Sequence, residues 1–136
     1  MKIKLDPGAY CPTRAHETDA GLDIYSREDQ IIPAHGSAVF HTGVHVQLPH
    51  GTVGNLESKS GLFVKHDILS AGTVDEGYDG EILAKLVNLG PTDYHVHVKD
   101  KITQLVIKPV RYEPVQIVEE IEAGPRGSNG FGSTGK

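Results

Sequence analysis

Tyr94-His-Val-His-Val-Lys-Asp-Lys-Ile-Thr-Gln-Leu-Val-Ile107 decides the fold class. Val96 and Val98 alternate with His95 and His97, the period of two that sends apolar and polar side chains to opposite faces of a strand. Val98-Lys-Asp-Lys101 carries turn chemistry, and Ile102 to Ile107 then forms a second short apolar run. Outward from this stretch the pattern recurs at Leu22-Asp-Ile-Tyr25, Ala38-Val-Phe40, Val44-His-Val-Gln-Leu48 and Glu81-Ile-Leu-Ala-Lys-Leu-Val87. Turn residues separate the runs at Pro33-Ala-His-Gly36, Pro49-His-Gly51 and Gly90-Pro91. Each junction reads as a hairpin or a sheet crossover. Only Ser60-Gly-Leu-Phe-Val-Lys65 can form a helical turn, with Ser60 as its cap, and one or two turns is its limit. Many short strands with almost no helix predict an all-β sandwich, jelly roll or small barrel.

Composition agrees. The 136 residues make one domain, and 16 glycines with 8 prolines suit a fold of many turns. A formal net charge of -5 argues against a protein that lives on a nucleic-acid backbone, although an acidic chain can still bind a small polyanion through amides, a divalent cation or a few aimed cations. Cys11 is the only cysteine, which rules out an intramolecular disulfide and thiolate metal clusters. Met1-Lys-Ile-Lys-Leu5 lacks the apolar stretch of a signal peptide, and no apolar run reaches the length of a membrane span. The expectation is a cytoplasmic protein without a membrane partner, in host cytoplasm if the gene is viral.

The final stretch differs in kind: Gly124-Pro-Arg-Gly-Ser-Asn-Gly-Phe-Gly-Ser-Thr-Gly-Lys136 has little to bury. It divides the chain into a β-rich core, 1–123, and a flexible arm, 124–136. Gly130 to Lys136 satisfies two nucleotide-binding patterns, G-x-G-x-x-G and G-x-x-x-x-G-K. Both work by leading a strand into a helix, and here the quoted chain stops first. The local chemistry still favours phosphate contact, through glycine amides, the Ser133 and Thr134 hydroxyls and the Arg126 guanidinium. Phe131 adds one flat apolar face. Three further constellations carry chemistry. Asp19-Ala-Gly-Leu-Asp23 and Thr73-Val-Asp75-Glu-Gly-Tyr78-Asp79 space their carboxylates so that Asp75 can serve as a base or order water near a cation. Glu57-Ser-Lys59-Ser60-Gly61 places a cation and a hydroxyl at a helix start, where anions bind. His95 and His97 share a strand face, but no further ligand completes a metal set.

In order and spacing these segments resemble the five motifs of the homotrimeric dUTPases. Asp19-Ala-Gly-Leu-Asp-Ile-Tyr-Ser26 is similar to the first, Ser58-Lys-Ser-Gly-Leu62 to the second, and Ala71-Gly-Thr-Val-Asp-Glu-Gly-Tyr-Asp-Gly-Glu81 to the third. Lys99-Asp-Lys-Ile-Thr-Gln-Leu-Val106 is similar to the fourth and Arg126-Gly-Ser-Asn-Gly-Phe-Gly-Ser-Thr-Gly135 to the fifth. The resemblance implies a jelly-roll-like subunit, a homotrimer with active sites at subunit interfaces, and Mg²⁺-dependent hydrolysis of dUTP to dUMP and pyrophosphate. It makes Asp75 the general base for in-line attack of water on the α-phosphorus, and Asp23 a metal partner through water. Lys59, Ser60 and Gly61 become phosphate contacts, and Gln104 helps place phosphate or water. A hairpin around Gly72, Thr73, Val74 and Leu83 pairs with uracil, and Tyr78 packs under the deoxyribose. Phe131 stacks on the base, Arg126 meets the γ-phosphate, and Gly132, Ser133 and Thr134 wrap the phosphates.

The chain departs from the family pattern at three places. Lys59 replaces an arginine, keeping the charge but losing bidentate geometry. Asp79 reverses the charge usual after the tyrosine. Asn129 stands for a common glycine, which a left-handed backbone accepts. The rival readings are a dCTP deaminase-like enzyme of the same fold and a dUTP-sensing regulatory module that docks another protein.

Overall fold

A computed structural model gives the structure of residues 1–128. Its elements run β1 (Lys2–Leu5), β2 (Gly21–Tyr25), β3 (Gln30–Ile32), β4 (Ser37–His41), β5 (Val44–Gln47), β6 (Thr52–Glu57), α1 (Ser60–His66), β7 (Ile68–Val74), β8 (Leu83–Asn88), β9 (Tyr94–Val96) and β10 (Lys101–Pro109). Six strands form one antiparallel sheet in the order β2-β10-β6-β7-β8-β4, and two ribbons, β1-β5 and β3-β9, complete the subunit. This is the curled, all-β, jelly-roll-like architecture expected.

The junction at Val98 to Lys101 is a crossover. β9 pairs with β3, while β10 pairs with β2 on one side and β6 on the other. Lys99 takes the turn with a left-handed φ of 73°. Its N–H donates to the Ser26 carbonyl at 2.9 Å, and Ser26 N–H donates back to Asp100 at 2.9 Å.

Two apolar clusters explain the layering. Leu22, Ile24, Leu56, Val74 and Leu105 from the large sheet pack against Val44, Val46 and Leu48 of the β5 region. Phe40, Ile68, Ala84 and Leu86 pack against Ile32 and Val96 of the β3-β9 ribbon. Each ribbon thus covers one end of the sheet's inner face. Burial of one such Leu or Ile side chain contributes roughly 1.5–3 kcal/mol.

Four strands escaped the alternation pattern: β1, β3, β6 and β7. β6, Thr-Val-Gly-Asn-Leu-Glu, looks like a turn because of Gly54 and Asn55. Gly54 is needed there: a Cβ would come within 2.8 Å of Leu105 Cδ1 on β10. β8 begins at Leu83 rather than Glu81, because Glu81 and Ile82 belong to the turn leading into it.

α1 is two turns long, as expected, but Ser60 does not cap it. Ser60 is the first helical residue, Lys59 occupies the cap position with φ -72° and ψ 125°, and no side chain caps the helix. At the other end Asp67 turns left-handed, φ 56°, and its N–H closes on the carbonyls of Leu62 and Phe63. Past Pro109 the described chain forms no strand and residues 111–128 are exposed, Val115, Ile117 and Ile121 at 94, 95 and 88%.

Candidate active site

β7 and the turn after it build a pocket of about 190 Å³ on the inner face of the sheet. Gly72, Thr73, Val74, Tyr78 and Leu83 all line it, with Leu56 and Ile82 forming its apolar floor and Glu81 its polar wall. Every residue assigned to the base-pairing hairpin is therefore brought together. Tyr78 N–H donates to the Asp75 carbonyl at 3.1 Å, which closes the turn, and Tyr78 Oη donates to the Glu81 carbonyl at 2.9 Å. The ring lies against Gly80, where a Cβ would meet Tyr78 Oη at 2.3 Å. Asp75 stands at the end of β7, exposed, and its carboxylate makes no hydrogen bond or ion pair with the described residues.

A second concavity of about 430 Å³ opens on the other face, lined by Asp19, Asp23, Glu57, Lys59, Gln104 and Lys108. Register explains both placements. Gln104 pairs with Asp23 and with Glu57, so the three share one face of β2, β10 and β6. Leu105 pairs with Leu22 and Leu56, and Leu56 with Gly72, so these share the opposite face.

Asp23 is the electrostatic centre of this second concavity. It is 3% exposed, and its Oδ2 accepts from Lys101 Nζ at 2.8 Å while Oδ1 accepts from Lys59 Nζ. Burial pushes its carboxyl upward, but the hydrogen bonds and charges of Lys101 and Lys59 outweigh this and hold it below the usual carboxylate value. Lys101 is raised in turn, chiefly by its bond to Asp23. The segments bearing these groups are tied by a half-buried polar network. Ser58 Oγ accepts from Ser70 N–H at 2.8 Å and donates to the Ser70 carbonyl at 2.9 Å. Ser70 Oγ donates to Thr103 Oγ1 at 2.8 Å, and Gln104 Nε2 donates to the Ser58 carbonyl at 3.1 Å. Ser60 and Gly61 follow on the exposed first turn of α1. A Cβ at Gly61 would meet nothing within 4 Å, so packing within the chain does not demand glycine there.

Several residues here were given no role from sequence. Lys101 stands within the fourth motif, yet nothing in the local pattern marks it as a partner for Asp23, 78 positions away in the chain. Glu81 braces the first pocket: it accepts from Gly43 N–H at 2.7 Å and His41 Nδ1 at 2.9 Å, with Arg27 at 3.7 Å. His45 holds the adjoining turn, its Nδ1 donating to the Asp79 carbonyl at 2.9 Å and its Nε2 facing Asp6 at 3.2 Å. The Asp79 carboxylate itself makes no ion pair among the described residues.

Among the described residues no three His, Cys, Asp or Glu side chains converge as a metal cage. The donor set beside Asp23 nevertheless fits Mg²⁺. It offers hard oxygen ligands on one wall, and Mg²⁺ commonly keeps several waters while taking one or two carboxylates plus phosphate oxygens. Both Asp23 oxygens already accept from ammonium groups, so contact through water disturbs them least. Arg126 lies at the end of the described chain. Asn129, Phe131, Gly132, Ser133 and Thr134 lie outside the described residues.

Residues 8–135 match the dUTPase family model. The deoxyuridine 5′-triphosphate nucleotidohydrolase of Clostridium acetobutylicum is 46% identical over 139 residues, covering 99% of this chain and 96% of its own. That of Clostridium novyi is 43% identical, covering 97% and 95%. Among solved structures, Staphylococcus bacteriophage 80alpha dUTPase with dUpNHpp superposes with a TM-score of 0.89 at 32% identity, covering 99% of this chain and 98% of its own. A mutant dUTPase from phage phi11 of S. aureus, described for the coordination of a structural Mg(II) ion, gives 0.82 at 30% identity, covering 90% and 98%.

Proposed function

The chain belongs to the dUTPase family, and from that premise we propose how its own residues convert dUTP to dUMP and pyrophosphate. It is a dUTP diphosphatase. The observation that carries the assignment of roles is the joint lining of one small pocket by Gly72, Thr73, Val74, Tyr78 and Leu83, with Asp75 directly after Val74 and without a hydrogen-bond or ion-pair partner among the described residues.

Uracil enters that pocket and pairs with the backbone of β7. Cytosine presents the reverse donor and acceptor pattern and would leave buried polar groups unpaired, the strong way to reject a ligand. Tyr78 packs under the deoxyribose. Asp75, with no competing partner among the described residues, accepts a proton from a water aimed in line at the α-phosphorus. Lys59, Ser60 and Gly61 bind phosphate oxygens, and Gln104 places phosphate or water. Bound Mg²⁺ would neutralise triphosphate charge, held through water by Asp23. The arm, 124–136, closes over the complex: Arg126 meets the γ-phosphate, Phe131 stacks on uracil, and Gly132, Ser133 and Thr134 wrap the phosphates.

The sites form between subunits of a homotrimer. Two observations support this. The base pocket and the Asp23 concavity lie on opposite faces of one sheet, so a single nucleotide reaches both kinds of group only where two chains meet. The exposed Val115, Ile117 and Ile121 also leave an extended apolar segment to be covered. No helix among the described residues is long and apolar enough to cross a membrane, and a cytoplasmic enzyme acting on dUTP without nucleic-acid partners completes the reading. Relatives named for hydrolysis of dUTP disfavour the dCTP deaminase alternative.

The test offers the protein each deoxynucleoside triphosphate, and UTP, with Mg²⁺, and compares Asp75→Asn. Pyrophosphate release from dUTP alone, lost by a factor of roughly a hundred or more in the variant, is expected. Equal turnover of dCTP or UTP, or an unaffected variant, overturns the roles.

A further inference from the structure

Glu76 follows Asp75 directly, and its carboxylate gathers three donors from two distant segments. His50 Nδ1 donates to Oε1 at 2.7 Å, Gly51 N–H donates to Oε2 at 2.8 Å, and Tyr112 Oη donates to Oε2. His50, Tyr112 and Glu76 line a cavity of about 430 Å³ together with Gln47, Leu48 and Gly77. Tyr112 lies just beyond the end of β10, and Val110 N–H donates to the Gly51 carbonyl at 2.9 Å, so the same node fixes the root of the C-terminal segment. These bonds hold the Glu76 carboxyl down at about 2, with Tyr112 the largest cause, then His50 and Gly51. No substrate role explains this concentration of donors on one partly exposed carboxylate.

We propose that Glu76 is a positioning residue, whose ties to His50, Gly51 and Tyr112 hold the turn that aims Asp75 and join it to the root of the C-terminal segment. The inference rests on the reading of Asp75 as the general base. The turn has one internal backbone bond, Tyr78 N–H to the Asp75 carbonyl, and its outside ties at Tyr78 Oη and the Asp79 carbonyl lie at its far end, so the Asp75 end is free to rock unless Glu76 holds it. Misplacement of a reacting group by about 1 Å can cost roughly a hundredfold in rate while leaving the substrate's binding contacts intact. Glu76 therefore acts on kcat and spares KM. It also couples the two ends of the machinery, since the segment that leads to the arm starts from the donor that binds beside the base.

The experiment uses the full-length protein with Mg²⁺ and dUTP, comparing Glu76→Ala, Glu76→Gln, Tyr112→Phe and Asp75→Asn. Glu76→Ala should lower kcat roughly tenfold or more with KM within about twofold. Tyr112→Phe should show the same split at smaller size, and Glu76→Gln, which keeps one acceptor oxygen, should lie between. Amide hydrogen exchange at Gly77 and Tyr78 should quicken in Glu76→Ala without ligand. Native kcat with native exchange, or a raised KM with native kcat, overturns the proposal. If Glu76→Ala does not fold, Tyr112→Phe decides by the same criteria. Full turnover in Asp75→Asn would instead defeat the base assignment, and the exchange rates would then judge Glu76 alone.

Discussion

Asp23 shows how much one residue depends on partners far away in sequence. A carboxylate this deeply buried is tolerable only when charge and hydrogen bonds accompany it, and Lys59 and Lys101 each supply one. Two cations have a consequence that one would not. With Lys59 turned to a phosphate in the proposed complex, Lys101 would remain and the carboxylate would not be stranded. Lys101→Met should therefore commit Lys59 to Asp23 and raise KM for dUTP roughly tenfold, the size of one charge-assisted hydrogen bond. The pH dependence has a definite sign. Asp23 is depressed in the folded state, so its pairing stabilises the fold above its ordinary 3.8 and that contribution fades as pH falls. The Tm gap between Lys101→Met and the native protein should be widest near neutrality and shrink below 3.8. Thermal melts at both pH values check this, and an equal gap at each would refute it. Asp75 differs: it has no hydrogen-bond or ion-pair partner among the described residues, and only its motif marks it as the proposed base.

At the scale of elements, strands with clean alternation were legible and those with compromised alternation were not. β4 is legible because apolar residues mark one face and β10 because it is a short apolar run after a turn, whereas β6 hides behind a glycine that packing against Leu105 requires. α1 was visible as a short helical turn, but its cap was misread, because Ser and Lys at adjacent positions do not reveal which one has entered the helix. The arm is the element with the clearest functional prediction. Removing the residues after Gly124 discards the whole fifth motif and none of the described strands, so the variant should keep its Tm and its oligomeric state. Its kcat/KM should fall by roughly a hundredfold or more, through loss of stacking and phosphate contacts made late in the reaction. Sedimentation and steady-state assays on the truncated chain measure both halves, and full turnover would rule the arm out of the active site.

The whole molecule adds what no single strand holds: a sheet with the proposed base pocket on one face and a charged concavity on the other. If both contribute to one site across a subunit contact, Asp75→Asn and Lys59→Ala damage opposite sides of it. Either variant alone should be nearly inactive. Unfolded together and reassembled, mixed trimers should regain activity, with about a third of the sites of a mixed trimer drawing both native groups. Heteromers that form without any recovery would place both groups in one subunit's site. The sequence by itself determined the all-β class and the family resemblance, and it named the residues proposed to carry the chemistry, because alternation, turn residues and local spacing are short-range properties. Only the tertiary structure decided that 94–107 crosses between layers, that Lys101 guards Asp23, that Glu76 ties Asp75 to Tyr112, and that the two halves of the site face apart. Strand pairing sets these relations through register, and register joins residues by position across a sheet, whatever their distance along the chain.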